Sequence, residues 1–178
     1  MTRFVALLRA VNVGGRKVEM EPLRALATKL GFEDVATYIA SGNLVFTVHG
    51  APKVVAAELE AAIAARFKLE VPVILRTATL WERYLECPFP DAAASEPNRV
   101  MLALAKTPPR KEAPAELLAR AKHGESIVLQ GDALWIHYPA GQAKTKLTPA
   151  SVDKAMGSAT TARNLNTVRT LATMANRE

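Results

Sequence analysis

The sequence is poor in cysteine, and it lacks long apolar runs. Only one of its 178 residues is a cysteine, Cys87, so neither an intrachain disulfide nor an all-cysteine metal cage can form. No uninterrupted apolar segment reaches the roughly 18 residues typical of a membrane span, and the N-terminal residues lack the pattern of a secretory signal. We therefore expect a cytoplasmic protein that does not associate with a membrane.

Residues that carry metal-binding or nucleophilic chemistry are also scarce. The three histidines, His49, His123 and His137, show neither the i, i+4 nor the HExxH spacing of metal ligands. No GxSxG or local Cys–His signature of a nucleophilic enzyme is present, and Cys87 before Pro88 is typical of a packing residue. We expect no metal and no cofactor. Enzymatic activity stays open, but no residue is nominated as catalytic.

The balance of charge is positive. The formal net charge of +6 arises from 23 Lys and Arg against 17 Asp and Glu. Such a field attracts phosphates at long range, which keeps nucleic acid open as a partner. Aromatic residues make up only 6% of the chain, however, and Phe4 and Phe46 alone are expected on the strands that an RNA-recognition sheet would use. A nucleic-acid-binding module is therefore the weaker alternative.

Hydrophobic periodicity predicts the element order βαββαβ in the first half of the chain. The predicted strands cover residues 3–9, 35–40, 44–48 and 71–75, and the predicted helices begin near Pro22 and Pro52. This order is the split βαβ pattern of ferredoxin-like domains, whose fourth strand lies at a sheet edge. Pro72 fits that position because proline cannot donate a ladder hydrogen bond.

The pattern begins again after a proline-rich passage at residues 86–98. Strands are expected at residues 99–105, 126–130 and 133–138, and helices at residues 114–122, 149–157 and from about 165 onward. No fourth strand is visible in this half. We predict an α+β fold of two ferredoxin-like βαββα lobes with mainly antiparallel sheets and C-terminal helices. The N-terminal lobe would cover residues 1–85, and the C-terminal lobe residues 98–178.

Polar and glycine residues gather in three short segments, which are our candidate ligand-binding residues. They are Arg9, Asn12, Gly14, Gly15, Arg16 and Lys17; Ser41 and Asn43; and Arg163, Asn164, Asn166 and Thr167. In a ferredoxin-like lobe the first two segments lie at the same end of the sheet. Backbone N–H groups of paired glycines beside cations can hold a phosphate or carboxylate. The first two segments therefore predict a polar, basic edge that binds a small anionic or nucleotide-like ligand, and the sequence leaves open whether the third segment reaches it.

Each segment also has an ordinary structural explanation. The glycines can shape a tight exit into the first helix, and the asparagines can cap turns. Thr161 or Asn164 can serve as the N-cap of the last helix, where Arg163 would add affinity for an anion. A structural or self-associating protein without a ligand, pairing through exposed sheet edges, is therefore a further hypothesis. The sequence does not fix the oligomeric state.

Three motifs resemble those of one bacterial family. They are LLRAVNVGG at residues 7–15, YIASGN at residues 38–43 and TTARNLNTV at residues 160–168. They are similar to LLRGINVGG, YIQSGN and TTRNWNTV of the family called domain of unknown function 1697, and the resemblance spans nearly the whole chain. This sequence differs from the family pattern at Ala10, Ala40 and Leu165, and by the additional Ala162. The resemblance implies no particular activity.

Overall fold

Residues 1–176, which the computed structural model describes, form eight strands and seven α-helices. They divide between two units. Unit 1 comprises Met1–Arg83 and Leu171–Glu178, and unit 2 comprises Tyr84–Thr170. The last two residues of the predicted C-terminal lobe, 177 and 178, lie outside the described residues. The division into domains at residues 1–85 and 98–178 stays a proposal.

Unit 1 is built on an antiparallel sheet with the strand order β2-β3-β1-β4. The strands are β1 (Thr2–Leu8), β2 (Glu33–Tyr38), β3 (Asn43–Val48) and β4 (Val73–Thr77). The helices are α1 (Met20–Lys29), α2 (Pro52–Phe67) and α3 (Ala78–Glu82). The central strand β1 pairs with β3 on one side and with β4 on the other. This is the predicted ferredoxin-like order, and β4 lies at the edge that Pro72 indicated.

One apolar stripe holds α2 against the sheet of unit 1. Val55, Leu59 and Ile63 recur at fourfold spacing and are buried. They belong to the same core as Phe4 and Phe46, whose ring centroids lie 5.9 Å apart. Burying each side chain of this size contributes about 1.5–3 kcal/mol. The two aromatic rings therefore stabilise the core and do not form a stacking platform for bases.

Unit 2 repeats the same sheet order as β6-β7-β5-β8. Its strands are β5 (Val100–Ala105), β6 (Ser126–Gln130), β7 (Ala133–His137) and β8 (Thr160–Asn164). Its helices are α4 (Pro90–Ser95), α5 (Ala113–Leu118) and α6 (Pro149–Met156), and α7 (Leu165–Ala175) begins in unit 2 and ends in unit 1. The α+β class with two mainly antiparallel sheets is confirmed.

The expectation that the second half lacks a fourth strand was wrong. Residues Thr160–Asn164 form β8, which pairs antiparallel with β5 and places Ala162 opposite Ala103. Asp153 holds the start of this strand, because its Oδ1 accepts hydrogen bonds from the Thr160 N–H (2.9 Å) and the Thr160 hydroxyl (2.7 Å). The second unit is therefore βαββαβ, like the first.

The helices are short compared with a lipid bilayer. The longest, α2, has 16 residues, whereas a helical crossing needs roughly 20 apolar ones. A bilayer-spanning helix is therefore absent from residues 1–176.

Candidate functional site

The structure brings two of the three predicted segments together in unit 1. We call residues 9–17 the glycine loop and residues 41–43 the Ser-Gly-Asn turn. The N–H of Leu8 donates to the carbonyl oxygen of Gly42 at 2.8 Å. The side-chain amide of Asn12 donates to the carbonyl oxygen of Ala40, immediately before the turn. The loop and the turn thus form one continuous edge, which we call the loop–turn edge.

Gly42 makes this close approach sterically feasible. Its φ of +76° belongs to the left-handed region, and a Cβ there would lie 2.6 Å from Val11 Cγ2 and 2.7 Å from Leu8 Cβ. Side chains of L-amino acids avoid both that backbone conformation and such short contacts. Only glycine fits position 42 without a shift of the glycine loop.

Asn12 braces the glycine loop internally. Its own φ is +57°, and its Oδ1 accepts a hydrogen bond from the Val18 N–H at 2.9 Å. Its Nδ2 donates to the carbonyl oxygens of Val18 (2.9 Å) and Ala40. Both ends of the amide are engaged with backbone groups. Asn12 therefore fixes the shape of the edge.

Other predicted members are held in a similar way. Asn43 is fully buried, and its Nδ2 donates to the Tyr38 carbonyl oxygen and to the Ser41 hydroxyl, each at 3.0 Å. The N–H of Arg9 donates to the carbonyl oxygen of Pro72 at 3.0 Å, which anchors the start of the loop beside β4. The contacts of Asn43 explain why the sequence places an amide and a hydroxyl in the turn.

The two glycines of the loop occupy the centre of a tight turn. Gly14 and Gly15 have φ of +57° and +81°, and the Arg16 N–H closes the turn on the carbonyl oxygen of Val13 at 3.1 Å. Both glycines are exposed, and residues 1–176 provide no acceptor for their N–H groups. Adjacent N–H groups at exposed residues, without an acceptor, favour an anion.

Two cations, Arg16 and Lys17, directly follow the glycine pair in sequence. Arg16 folds back, so that its Nε donates to the Ala10 carbonyl oxygen at 3.1 Å and its Nη2 to the Glu70 carbonyl oxygen at 2.5 Å. The Lys17 ammonium lies 2.5 Å from Glu19 Oε1, and the hydrogen bond and charge of that carboxylate raise the pKa of Lys17. Because both partners are exposed to water, this ion pair is weak.

The third predicted segment lies in unit 2. Asn164 is the N-cap of α7, because its Oδ1 accepts the Thr167 N–H at 2.9 Å. The alternative cap, Thr161, was a wrong prediction, since this residue lies inside β8. Asn166 is exposed and Thr167 is buried. The segment therefore contains the end of a strand and the start of a helix.

Arg163 is buried in unit 2, with only 8% of its surface exposed. Its Nη1 donates to the Thr161 hydroxyl at 2.7 Å and to the Ala162 carbonyl oxygen at 2.8 Å. Burial lowers the pKa of Arg163 to about 10, so the side chain is still a cation at neutral pH. These contacts favour a role in packing over the capture of a ligand from solvent.

Unit 2 also contains a histidine–carboxylate pair. His137 Nε2 lies 2.7 Å from Glu96 Oε1, and Arg99 Nη1 lies 2.9 Å from Glu96 Oε2. The hydrogen bond from His137 holds the pKa of Glu96 below its ordinary value, and the charge of Arg99 acts in the same direction. Residues 1–176 contain no group of three His, Cys, Asp or Glu side chains placed to hold a metal ion.

Sequence reasoning missed a concave basic surface in unit 2. It lies between α5 and α6, and its polar lining consists of Arg110, Glu116, Arg120, Ser151 and Lys154. These residues are widely spaced in sequence and form no motif. The only available signal was the presence of cations in and beside two neighbouring helical segments.

Comparisons with known proteins identify a family without an assigned activity. The family model described as "Protein of unknown function (DUF1697)" matches residues 1–135, which include the loop–turn edge. The chain is also similar in structure to the conserved bacterial protein SP0830 from Streptococcus pneumoniae. The TM-score is 0.72 and the sequence identity 23%, over 98% of this chain and 99% of that one. No curated protein matches the chain. Since the family match covers most of its length, the chain belongs to the DUF1697 family of proteins of unknown function.

Proposed function

We propose that the protein binds a small anion, a carboxylate or a phosphate group, at the loop–turn edge of unit 1. The observation that carries this proposal is the pair of exposed N–H groups at Gly14 and Gly15, which lack acceptors among residues 1–176. Two adjacent backbone donors match the oxygens of one carboxylate or phosphate group. A nucleotide-like compound would present such a group.

The rigidity of the edge supports this function. Asn12 ties the loop to Val18 and Ala40, and Gly42 permits the tight contact with the turn. The donors are therefore held in place before a ligand arrives, and less conformational entropy is lost on binding. The spacing of the glycines matches neither the GxGxxG nor the GxxxxGK[ST] pattern, so a single anionic group is the expected ligand rather than a dinucleotide.

The cations of the loop would supply the remaining attraction. Lys17 is exposed, and its ion pair with Glu19 is weak enough for an anion to compete. Arg16, the residue after the glycine pair, is fixed by two carbonyl oxygens, and it adds a positive charge to the glycine loop without needing to move. The proposed ligand would therefore gain hydrogen bonds from backbone N–H groups and electrostatic attraction from the cations of the glycine loop.

Titration with inorganic phosphate and with adenosine monophosphate tests this proposal. We expect saturable binding by isothermal titration calorimetry, and a loss of affinity of roughly tenfold in Lys17→Glu, because a carboxylate would face the anion. Lys29→Glu is the matched control, since it makes the same change of charge at the end of α1 in the same unit. Its affinity should equal that of the parent.

The alternatives predict different results in the same experiments. A nucleic-acid-binding module would bind RNA or DNA with an affinity that falls steeply as salt increases. A structural or self-associating protein would bind neither phosphate nor nucleotide. Absence of saturable binding, or equal weakening by Lys17→Glu and Lys29→Glu, would reject the loop–turn edge as a ligand site.

A further inference from the structure

We infer that unit 2 contains a separate site for the phosphate group of a small molecule, in the groove between α5 and α6. Three cations and one carboxylate line this basic groove, which gives it a net charge of +2: Arg110, Arg120, Lys154 and Glu116. A phosphate monoester carries nearly two negative charges at neutral pH. The charge of the groove thus matches that of the ligand.

The size of the groove suits a small molecule larger than a bare phosphate ion. Its volume is about 530 Å³, within the range of ordinary ligand sites. Its floor is rigid, because the apolar sides of α5 and α6 are buried in one core that includes Leu117, Val152 and Met156. Ala119, directly after α5, and Ala155 of α6 form the less polar part of the wall, against which the body of a phosphate ester would lie.

The main chain and the aliphatic stem of Arg110 are held in position before any ligand binds. Its N–H donates to the carbonyl oxygen of Met156 at 3.2 Å, and its Nη2 lies 2.8 Å from Glu116 Oε1. Its aliphatic stem passes close to Gly157, where a Cβ would lie 3.2 Å from both Cγ and Cδ. Because both Arg110 and Glu116 are exposed to water, their ion pair is weak enough for a phosphate group to compete, and the planar fork of the guanidinium matches two phosphate oxygens.

Arg120 and Lys154 supply charge that the protein itself does not neutralise. Both side chains are exposed, and within residues 1–176 neither the Arg120 guanidinium nor the Lys154 ammonium has a hydrogen-bond or ion-pair partner. Arg120 follows the C-terminal end of α5, and Lys154 lies in the last turn of α6. Cations from two different elements therefore line the same concavity, an arrangement suited to holding one anionic group.

The composition of the groove favours a small phosphate ester over nucleic acid. Glu116 lies in the lining and would repel a continuous phosphate backbone, whereas a single ester can direct its phosphate toward the three cations. Single-stranded nucleic acid also needs aromatic side chains for base stacking, and the lining contains none among the described residues. The groove is therefore assigned to a phosphorylated small molecule.

Glucose 6-phosphate is a suitable probe, with inorganic phosphate beside it. We expect saturable binding of the ester, weakened about tenfold or more in the double variant Arg120→Gln/Lys154→Gln, because two charge-assisted contacts are lost. The matched control is Lys122→Gln/Lys144→Gln, which removes the same charge from exposed positions of unit 2 that do not line the groove. Circular dichroism should show that both double variants are folded.

Amide chemical shifts distinguish this site from the loop–turn edge. Binding in the groove should shift resonances of α5 and α6, and Lys17→Glu should leave that affinity unchanged. Shifts confined to the glycine loop, equal weakening by both double variants, or no saturation up to about 10 mM ester would each overturn the inference. Failure at the loop–turn edge would not affect this result, since the two sites share no residue.

Discussion

At the scale of single residues, Gly42 permits the close approach between the Ser-Gly-Asn turn and the glycine loop. In Gly42→Ala the new methyl group would lie 2.6 Å from Val11 Cγ2 and 2.7 Å from Leu8 Cβ, on a backbone with a φ of +76°. Overpacking and left-handed strain together should lower the free energy of unfolding by about 2–4 kcal/mol. Urea denaturation monitored by circular dichroism measures this loss.

Gly14→Ala is the matched control for that prediction. Gly14 also has a positive φ, +57°, but a Cβ there would meet no atom within 4 Å. Only the backbone strain is added, and the expected loss is about 1–2 kcal/mol. If the two variants were equally unstable, the close contact at Gly42 would not be the reason why glycine is needed there.

The positions of the polar residues in the glycine loop could be predicted from the sequence, but their contacts could not. Residue types and the ferredoxin-like order were enough to place Asn12 beside the Ser-Gly-Asn turn. The direction of its side chain depends on a positive φ at a non-glycine residue, which no local pattern indicates. Arg16 is a similar case, since its partner Glu70 is distant in sequence. The Asn12 amide and the Arg16 guanidinium, both predicted to bind a ligand, therefore donate hydrogen bonds to backbone carbonyl oxygens instead.

At the scale of elements, Asn164 tests whether the C-terminal motif stabilises a helix or binds a ligand. Its Oδ1 caps α7 by accepting the Thr167 N–H at 2.9 Å. Asn164→Ala should therefore lower the free energy of unfolding by about 1 kcal/mol. Asn164→Ser should be nearly as stable as the parent, because serine is also a good N-cap. Chemical denaturation gives both values. A stable Asn164→Ala variant would contradict the capping role.

The missed strand β8 shows where local patterns fail. Strand β1 and helix α2 were predictable because an apolar run and a fourfold apolar stripe are strong local signals. The residues of β8 are mostly polar, and Thr, Asn and Arg before an apolar helix are typical of an N-terminal cap. What makes this segment a strand is its pairing with β5, a contact between residues far apart in sequence. The basic groove was also missed because its lining residues come from two segments that are far apart in sequence.

At the scale of the whole molecule, carboxylates whose pKa values are lowered in the folded state contribute to the response to acid. Glu125 is only 7% exposed, and burial alone would raise its pKa. The Thr145 hydroxyl (2.6 Å) and the His123 N–H (2.8 Å) donate to its two oxygens and outweigh that effect, so the pKa of Glu125 is lowered. The hydrogen bond from His137 lowers the pKa of Glu96 likewise. Folding therefore favours the ionised form of both groups.

Because these folded-state pKa values lie below the ordinary value of 4.5, the unfolded chain takes up protons first as the pH falls. The contribution of both carboxylates should be fully present above about pH 5 and should decline as the pH falls through 4.5 toward the folded-state values. Thermal unfolding between pH 3 and pH 7 measures this decline. Glu125→Gln cannot ionise, so it should be less stable than the parent at pH 7 and should lose less stability on acidification. A parent and a variant with parallel pH profiles would show that Glu125 does not contribute to the acid response.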